Sequence, residues 1–204
     1  MPTGPGGLDS NGIWQFGEDD SEALASDLLN LGMGSVSTAI TNLEPVGVLQ
    51  VVSVTKTDTF SASVATGAFS ANVTGLSATI TPASSSSTIL VRVNVSGGSS
   101  ADSPIVNGRM LRGSTAIGVG APVGDRTRVS GSNGTSSTSG LLMSTLSAET
   151  MDTPATTDAI TYNFQLFNVS PLTQTLYVNR TQDDLNLTRA MRAASTITLM
   201  EVAG

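Results

Sequence analysis

The stretch Thr88–Ser96, TILVRVNVS, limits the possible folds of this chain more than any other. In an extended strand, Ile89, Val91, Val93 and Val95 fall on one side, and Leu90, Arg92, Asn94 and Ser96 on the other. A helix would scatter those four β-branched residues around its axis, so the pattern specifies a strand with one buried face. Such a strand cannot stand alone. The chain must supply neighbours for its edges and a second layer for its apolar face. Gly97-Gly98 is expected to end it.

Other segments repeat the period. Val48–Thr55 and Thr57–Val64 read as the first two strands of the β region. Leu76, Ala78 and Ile80 alternate before Pro82 and the polar turn Ser84–Ser87. Val106–Leu111 and Thr115–Val119 are joined by Arg112-Gly113-Ser114, a hairpin connection. Leu141–Leu146, Ile160–Val169 (with Ile160, Tyr162, Phe164 and Leu166 inward), Leu176–Asn179 and Thr196–Val202 follow. About eight to ten short strands with no helices between them specify a mainly β fold. The expected architecture is an antiparallel β-sandwich, jelly-roll-like, over residues 45–204. Residues 120–140 and 147–158 are expected to be exposed loops, the first the longest low-complexity stretch of the chain.

The region before the sandwich reads differently. Residues 1–17 are rich in Gly and Pro and form no core, so they are expected to be an extended arm. Ile13, Trp14 and Phe16 are its large apolar side chains, suited either to anchoring the arm on a partner or to folding back on the chain's own domain. Residues 18–44 are expected to be a short amphipathic helical segment. Glu18, Asp19, Asp20 and Glu22 place negative charge at its start. Leu24, Leu28 and Leu31 form an apolar stripe that Gly32 and Gly34 terminate, and Val36 and Ile40 continue a second one. A helix this short is marginal alone. Its stripe must pack on the sandwich or on identical helices of neighbouring subunits, and the flanking glycines favour the second arrangement, an oligomerisation segment.

Chemistry is bounded by what is missing. Histidine and cysteine are both absent, and Lys56 is the only lysine. That removes the common general base, thiol nucleophile and zinc ligands together. The remaining option is a carboxylate pair, but Asp19-Asp20 belongs to the helix start, Asp183-Asp184 to a turn, and Asp152 and Asp158 to a loop around Pro154. With 4% aromatic residues no sugar-lined cleft is in view. The expectation is no enzyme, no cofactor and no metal.

Net charge is −7, and the only tight cation pairs are Arg109 with Arg112, Arg126 with Arg128, and Arg189 with Arg192. This argues against direct nucleic-acid binding. No apolar run approaches the ~20 residues of a membrane span, and the start shows no basic segment leading into an apolar run. Asn-x-Ser/Thr occurs at Asn72, Asn94, Asn133, Asn168, Asn179 and Asn186, read here as strand and turn chemistry.

Two stretches carry a family resemblance. GIWQFGEDDSEALASDLLNLGMGSV resembles the N-terminal segment of minor tail and tail-fibre proteins of tailed bacteriophages, in which an aromatic-Gln-aromatic-Gly step leads into an acidic, Leu-bearing helix. VLQVVSVTKTDTFSASV and VTGLSATITPASSSSTILVRVNVS, with LRGSTAIGVG and the closing STITLMEVAG, are similar to a β-sandwich recurrent among phage structural proteins. The resemblance covers most of residues 12–204. It implies a virion protein, commonly a homotrimer, attached to other virion proteins by its N-terminus with the sandwich projecting outward. The acidic helix favours the tail. The absence of shaft repeats favours the alternative, a capsid decoration or head-fibre protein. A carbohydrate-binding module is the further alternative. Contact with a host surface glycan or protein would then be polar and carried by loops 120–140 or 147–158.

Overall fold

The computed structural model of the chain describes residues 7–8, 14–15, 47–100, 105–134 and 139–204. The chain divides into two compact units, Met1–Pro45 and Val46–Gly204. In the first, β1 (Gly7–Leu8) and β2 (Trp14–Gln15) pair antiparallel, with Leu8 opposite Trp14. The helical stripe expected over 18–44 lies outside the described residues, and no helix occurs among those described.

The described residues of the second unit hold eleven strands: β3 (Val48–Lys56), β4 (Phe60–Val64), β5 (Ser77–Ile80), β6 (Thr88–Ser99), β7 (Ile105–Arg112), β8 (Thr115–Ile117), β9 (Gly131–Gly134), β10 (Ser144–Asp152), β11 (Ile160–Leu166), β12 (Gln174–Val178) and β13 (Ser195–Val202). They form two antiparallel sheets. In the first, β6 is central. β10 pairs along one of its edges, from Ser144 opposite Gly97 to Asp152 opposite Ile89. The other edge is shared: β13 pairs with Thr88–Asn94 and β12 with Gly97–Ser99. β3 then pairs with β13 and β4 with β12. β3 with β4, and β12 with β13, therefore act as two long strands, each broken at the same level. The second sheet runs β5, β11, β7, with β9 and β8 on the two halves of the far edge of β7.

The alternation predicted for Thr88–Ser96 is observed. Ile89, Val91, Val93 and Val95 are fully buried, and they meet Ile80, Met110, Tyr162, Phe164 and Leu166 of the other sheet in one core. Burying those four side chains is worth about 6–12 kcal/mol as an upper estimate, comparable with the whole net stability of a domain. A one-residue slip would turn all four outward, so the register of β6 is fixed by them.

Four expectations are corrected. Gly97-Gly98 does not end the strand, and β6 continues to Ser99. A Cβ on Gly97 would lie 2.0 Å from the Tyr177 carbonyl oxygen, so glycine is there to let β12 approach. Residues 147–152 are not loop but the outer half of β10, and Gly131–Gly134, inside the expected loop 120–140, is strand β9. The strand expected from Thr57 starts at Phe60. The hairpin at Arg112-Gly113-Ser114 is present, with Gly113 at φ +58° between paired Arg112 and Thr115.

Candidate functional site

Ile13, Phe16, Leu24, Leu28, Leu31, Val36 and Ile40 lie outside the described residues, and of Trp14 the described feature is its backbone pairing in β2. The groups that can be placed belong to the sandwich, and they sort into those that tie the fold and those left facing outward.

The buried polar groups are ties. Asn179, fully buried at the end of β12 with φ +62°, donates from Nδ2 to the carbonyls of Lys56 (2.8 Å) and Asp58 (3.0 Å). Its Oδ1 accepts from the Ser195 hydroxyl at 2.6 Å, and that hydroxyl accepts from the Ser96 amide. One side chain thus stitches the break between β3 and β4 to the break between β12 and β13. Asn168 does similar work, donating to the carbonyls of Val64 and Leu172 and accepting from the Ser170 amide. The Asn-x-Ser/Thr motifs at 168 and 179 are turn and strand chemistry, with their amide nitrogens committed in the interior.

Glu201, on β13, is fully buried beside the β5–β6 turn. Its carboxylate accepts from Gln50 Nε2 at 2.5 Å and from the Ala83 amide at 2.7 Å. Burial alone would raise its pKa, but the hydrogen bonds from Gln50 and from the amides of the turn more than reverse this and hold it below the usual range. Asp152, at the end of β10, accepts from the Arg112 Nη1 through both carboxylate oxygens and from the Tyr162 hydroxyl at 2.7 Å. Arg112 and Tyr162 belong to the second sheet and Asp152 to the first, so this cluster clips the two layers. Burial and the adjoining carboxylate push the Tyr162 phenol far above its ordinary value and keep it neutral. Asp184 is paired with Arg180 and Arg192, and Asp58 with Lys56, whose hydrogen bond lowers the Asp58 pKa. No group of three or more metal-binding side chains occurs among the described residues.

Two outward surfaces remain. On the first sheet, directly opposed residues form rows across the strands. Thr145 and Ser96, Ser147 and Asn94, and Glu149 and Arg92 pair between β10 and β6, and Ser53 and Thr198 between β3 and β13. These pairs are neutral hydroxyls and amides beside one exposed ion pair, and Arg92, Asn94, Ser147, Ala148 and Glu149 line a shallow depression there. The same face continues into an apolar row of Met151, Leu90, Met200 and Val51, of which Val51 and Met151 are exposed. On the second sheet, Gln165 of β11 lies opposite Arg109 of β7. The Arg109 guanidinium sits 3.7 Å over the ring of Phe69, which in turn contacts Phe167 at 5.0 Å between centroids. Sequence reasoning missed this cluster, since its members come from three separate segments. The available signal was Phe167, which the alternation of Ile160–Val169 places outward.

Charge is unevenly shared along the chain. Seven of the sixteen acidic residues precede Gly47 and no basic residue does, so residues 47–204 carry nine of each sign.

No family model matches the chain, and no curated protein matches it significantly. Among solved structures, it is similar to a chain in the "Structure of infectious bursal disease virus Gx strain", with TM-score 0.38 and 16% identity. The match covers 78% of this chain and 39% of that one, so this chain spans about two fifths of that chain's length. A likeness this slight adds nothing to the strand order described above.

Proposed function

We propose that this chain is a structural subunit of a virion, a tail-fibre or minor tail protein that attaches through its N-terminal segment and projects its β-sandwich. The observation that carries the reading is the strand order. Taking β3/β4, β12/β13 and β8/β9 each as one broken strand, one layer runs β3/β4, β12/β13, β6, β10 and the other β5, β11, β7, β8/β9. That is the order in which a chain folded as two Greek keys lays down a jelly roll, an architecture used by capsid and lectin domains. Fold alone does not fix function. Three further observations favour a particle subunit over an enzyme. The carboxylates Glu201, Asp152 and Asp184 are engaged in structural ties, the outer face of the first sheet is mostly neutral, and the sequence resembles phage tail proteins in its N-terminal stretch and a sandwich of phage structural proteins beyond it, together over most of residues 12–204. The concentration of acidic residues before Gly47 suits an attachment segment whose receiving surface on the particle is basic. In this reading the subunit is a trimer joined through Leu24, Leu28, Leu31, Val36 and Ile40, and Ile13, Trp14 and Phe16 are buried against other virion proteins. Capsid decoration is the second reading, and the same strand order serves it.

Deleting residues 1–17 tests the proposal. The expected result is a soluble, folded oligomer that is missing from assembled particles. Incorporation at normal occupancy would refute attachment by the arm.

A further inference from the structure

We infer that the outer face of the second sheet carries a binding site for an acidic sugar, a monosaccharide unit bearing a carboxylate, centred on Arg109. The site does not depend on the particle reading, since it stands on side-chain geometry within residues 47–204.

Arg109 is the anomaly. Three arginines among the described residues are half-buried: Arg109, Arg112 and Arg180. The other two hold carboxylates, Asp152 and Asp184. Arg109 has no carboxylate partner among the described residues, although a partly desolvated cation gains most from one. It is nonetheless held firmly. Its Nε and Nη2 donate to Gln165 Oε1 at 3.0 and 2.8 Å, and its plane rests on the Phe69 ring. Gln165 is fixed in turn, donating from Nε2 to Asn72 Oδ1 at 3.0 Å. Among the described residues, this network leaves both hydrogens of Nη1, and the amide nitrogen of the exposed Asn72, without acceptors. The arrangement is a preorganised fork of donors with its charge unanswered, which is the geometry that takes a carboxylate.

The aromatic rings decide the class of ligand. Phe69 and Phe167 belong neither to the core cluster nor to the apolar residues packed against it, and both are half-buried. A carboxylate alone would need no ring beside the guanidinium. A sugar ring presents a face of C–H groups that packs on an aromatic edge or face, while its hydroxyls use amides such as that of Asn72. Apolar surface, planar amides and one cation within a single cluster therefore match a uronic or sialic acid unit better than a simple anion. The residues that form the site come from β7, β11 and the 65–75 connection, and not from residues 120–140 and 147–158, to which sequence reasoning assigned host contact.

The experiment is a side-chain amide NMR titration of the full chain with methyl glucuronide, methyl glucoside and acetate. Methyl glucuronide and methyl glucoside differ only at the carboxylate, and acetate has the carboxylate without the ring. The expected result is saturable shifts of the Asn72, Gln165 and Arg109 signals by the glucuronide, with a Kd of about a millimolar. The glucoside and acetate should each bind at least about tenfold more weakly. Arg109→Gln should bring the glucuronide and glucoside affinities together. Asn72→Ala, at an exposed position where folding is not at risk, should weaken the glucuronide severalfold. Equal binding of the glucoside would remove Arg109 as a carboxylate reader. Equal binding of acetate would remove the sugar. No shift by any of them would overturn the site altogether.

Discussion

Asn179→Ala is the substitution that probes the fold most sharply. Its side chain is fully buried and serves three partners: the Lys56 and Asp58 carbonyls and the Ser195 hydroxyl. An unsatisfied buried group costs about 1–3 kcal/mol. Asp58 is exposed and its carbonyl can turn to water, and the Ser195 hydroxyl can rotate, so the Lys56 carbonyl bears most of the loss. Together the lost hydrogen bonds come to roughly 3 kcal/mol. Residue 179 also sits at φ +62°, which an alanine adopts at a cost of about 1 kcal/mol. The expected destabilisation is therefore about 4 kcal/mol, a large share of the ~5–15 kcal/mol of a typical domain. Asn179→Gly separates the two contributions, because glycine accepts the positive φ. It should fall about 1 kcal/mol short of the alanine variant's loss. Urea denaturation followed by far-UV circular dichroism measures both. A loss below about 1 kcal/mol for Asn179→Ala would show that the strand breaks are held by something else.

Four further outcomes are expected. Gly97→Ala should prevent folding or cost more than about 3 kcal/mol, because the added carbon meets the Tyr177 backbone rather than a movable side chain; thermal denaturation reads it. Glu201 has a depressed pKa in the folded chain, so its contribution is present above the unfolded value of about 4.5 and is lost as pH falls through the folded value; the acid limb of the stability curve should flatten in Glu201→Gln, which should also lose about 2 kcal/mol at neutral pH. Tyr162→Phe should cost about 1–2 kcal/mol by calorimetry, with Asp152 still held by Arg112. Sedimentation of the purified chain should give a trimer, and Leu24→Asp with Leu28→Asp should give a monomer with the β-sheet spectrum unchanged; a wild-type monomer at micromolar concentration would sink the oligomerisation reading.

The strands that could be read from sequence are those whose inward residues are large. β6 and β11 alternate Val, Ile, Leu, Tyr and Phe with polar residues, and each buries the expected set. β10 was only half legible. Beyond Leu146 its residues opposite Val93 and Val91 are Ala148 and Thr150, too small or polar to mark a strand by themselves; pairing with β6 makes them one. Gly131–Gly134 has no side-chain signal at all and becomes strand by lying along β7. Gly97-Gly98 signals a break locally, and the reason it is none, the carbonyl of Tyr177, is supplied from eighty residues further along the chain. The same distance hides the Arg109 cluster. Phe69, Asn72, Arg109, Gln165 and Phe167 are unremarkable where they stand in sequence, and only the pairing of β7 with β11 and the isolated bridge between Phe69 and Phe167 gather them.

The central claim is that this chain is part of a virion, and gold-labelled antibody imaged by electron microscopy on intact, purified particles tests it most directly. Label is expected on every particle, concentrated at the tail. Label over the head instead would replace the tail reading with capsid decoration. Particles that carry none, while the chain is abundant in the lysate from which they were purified, would contradict the claim.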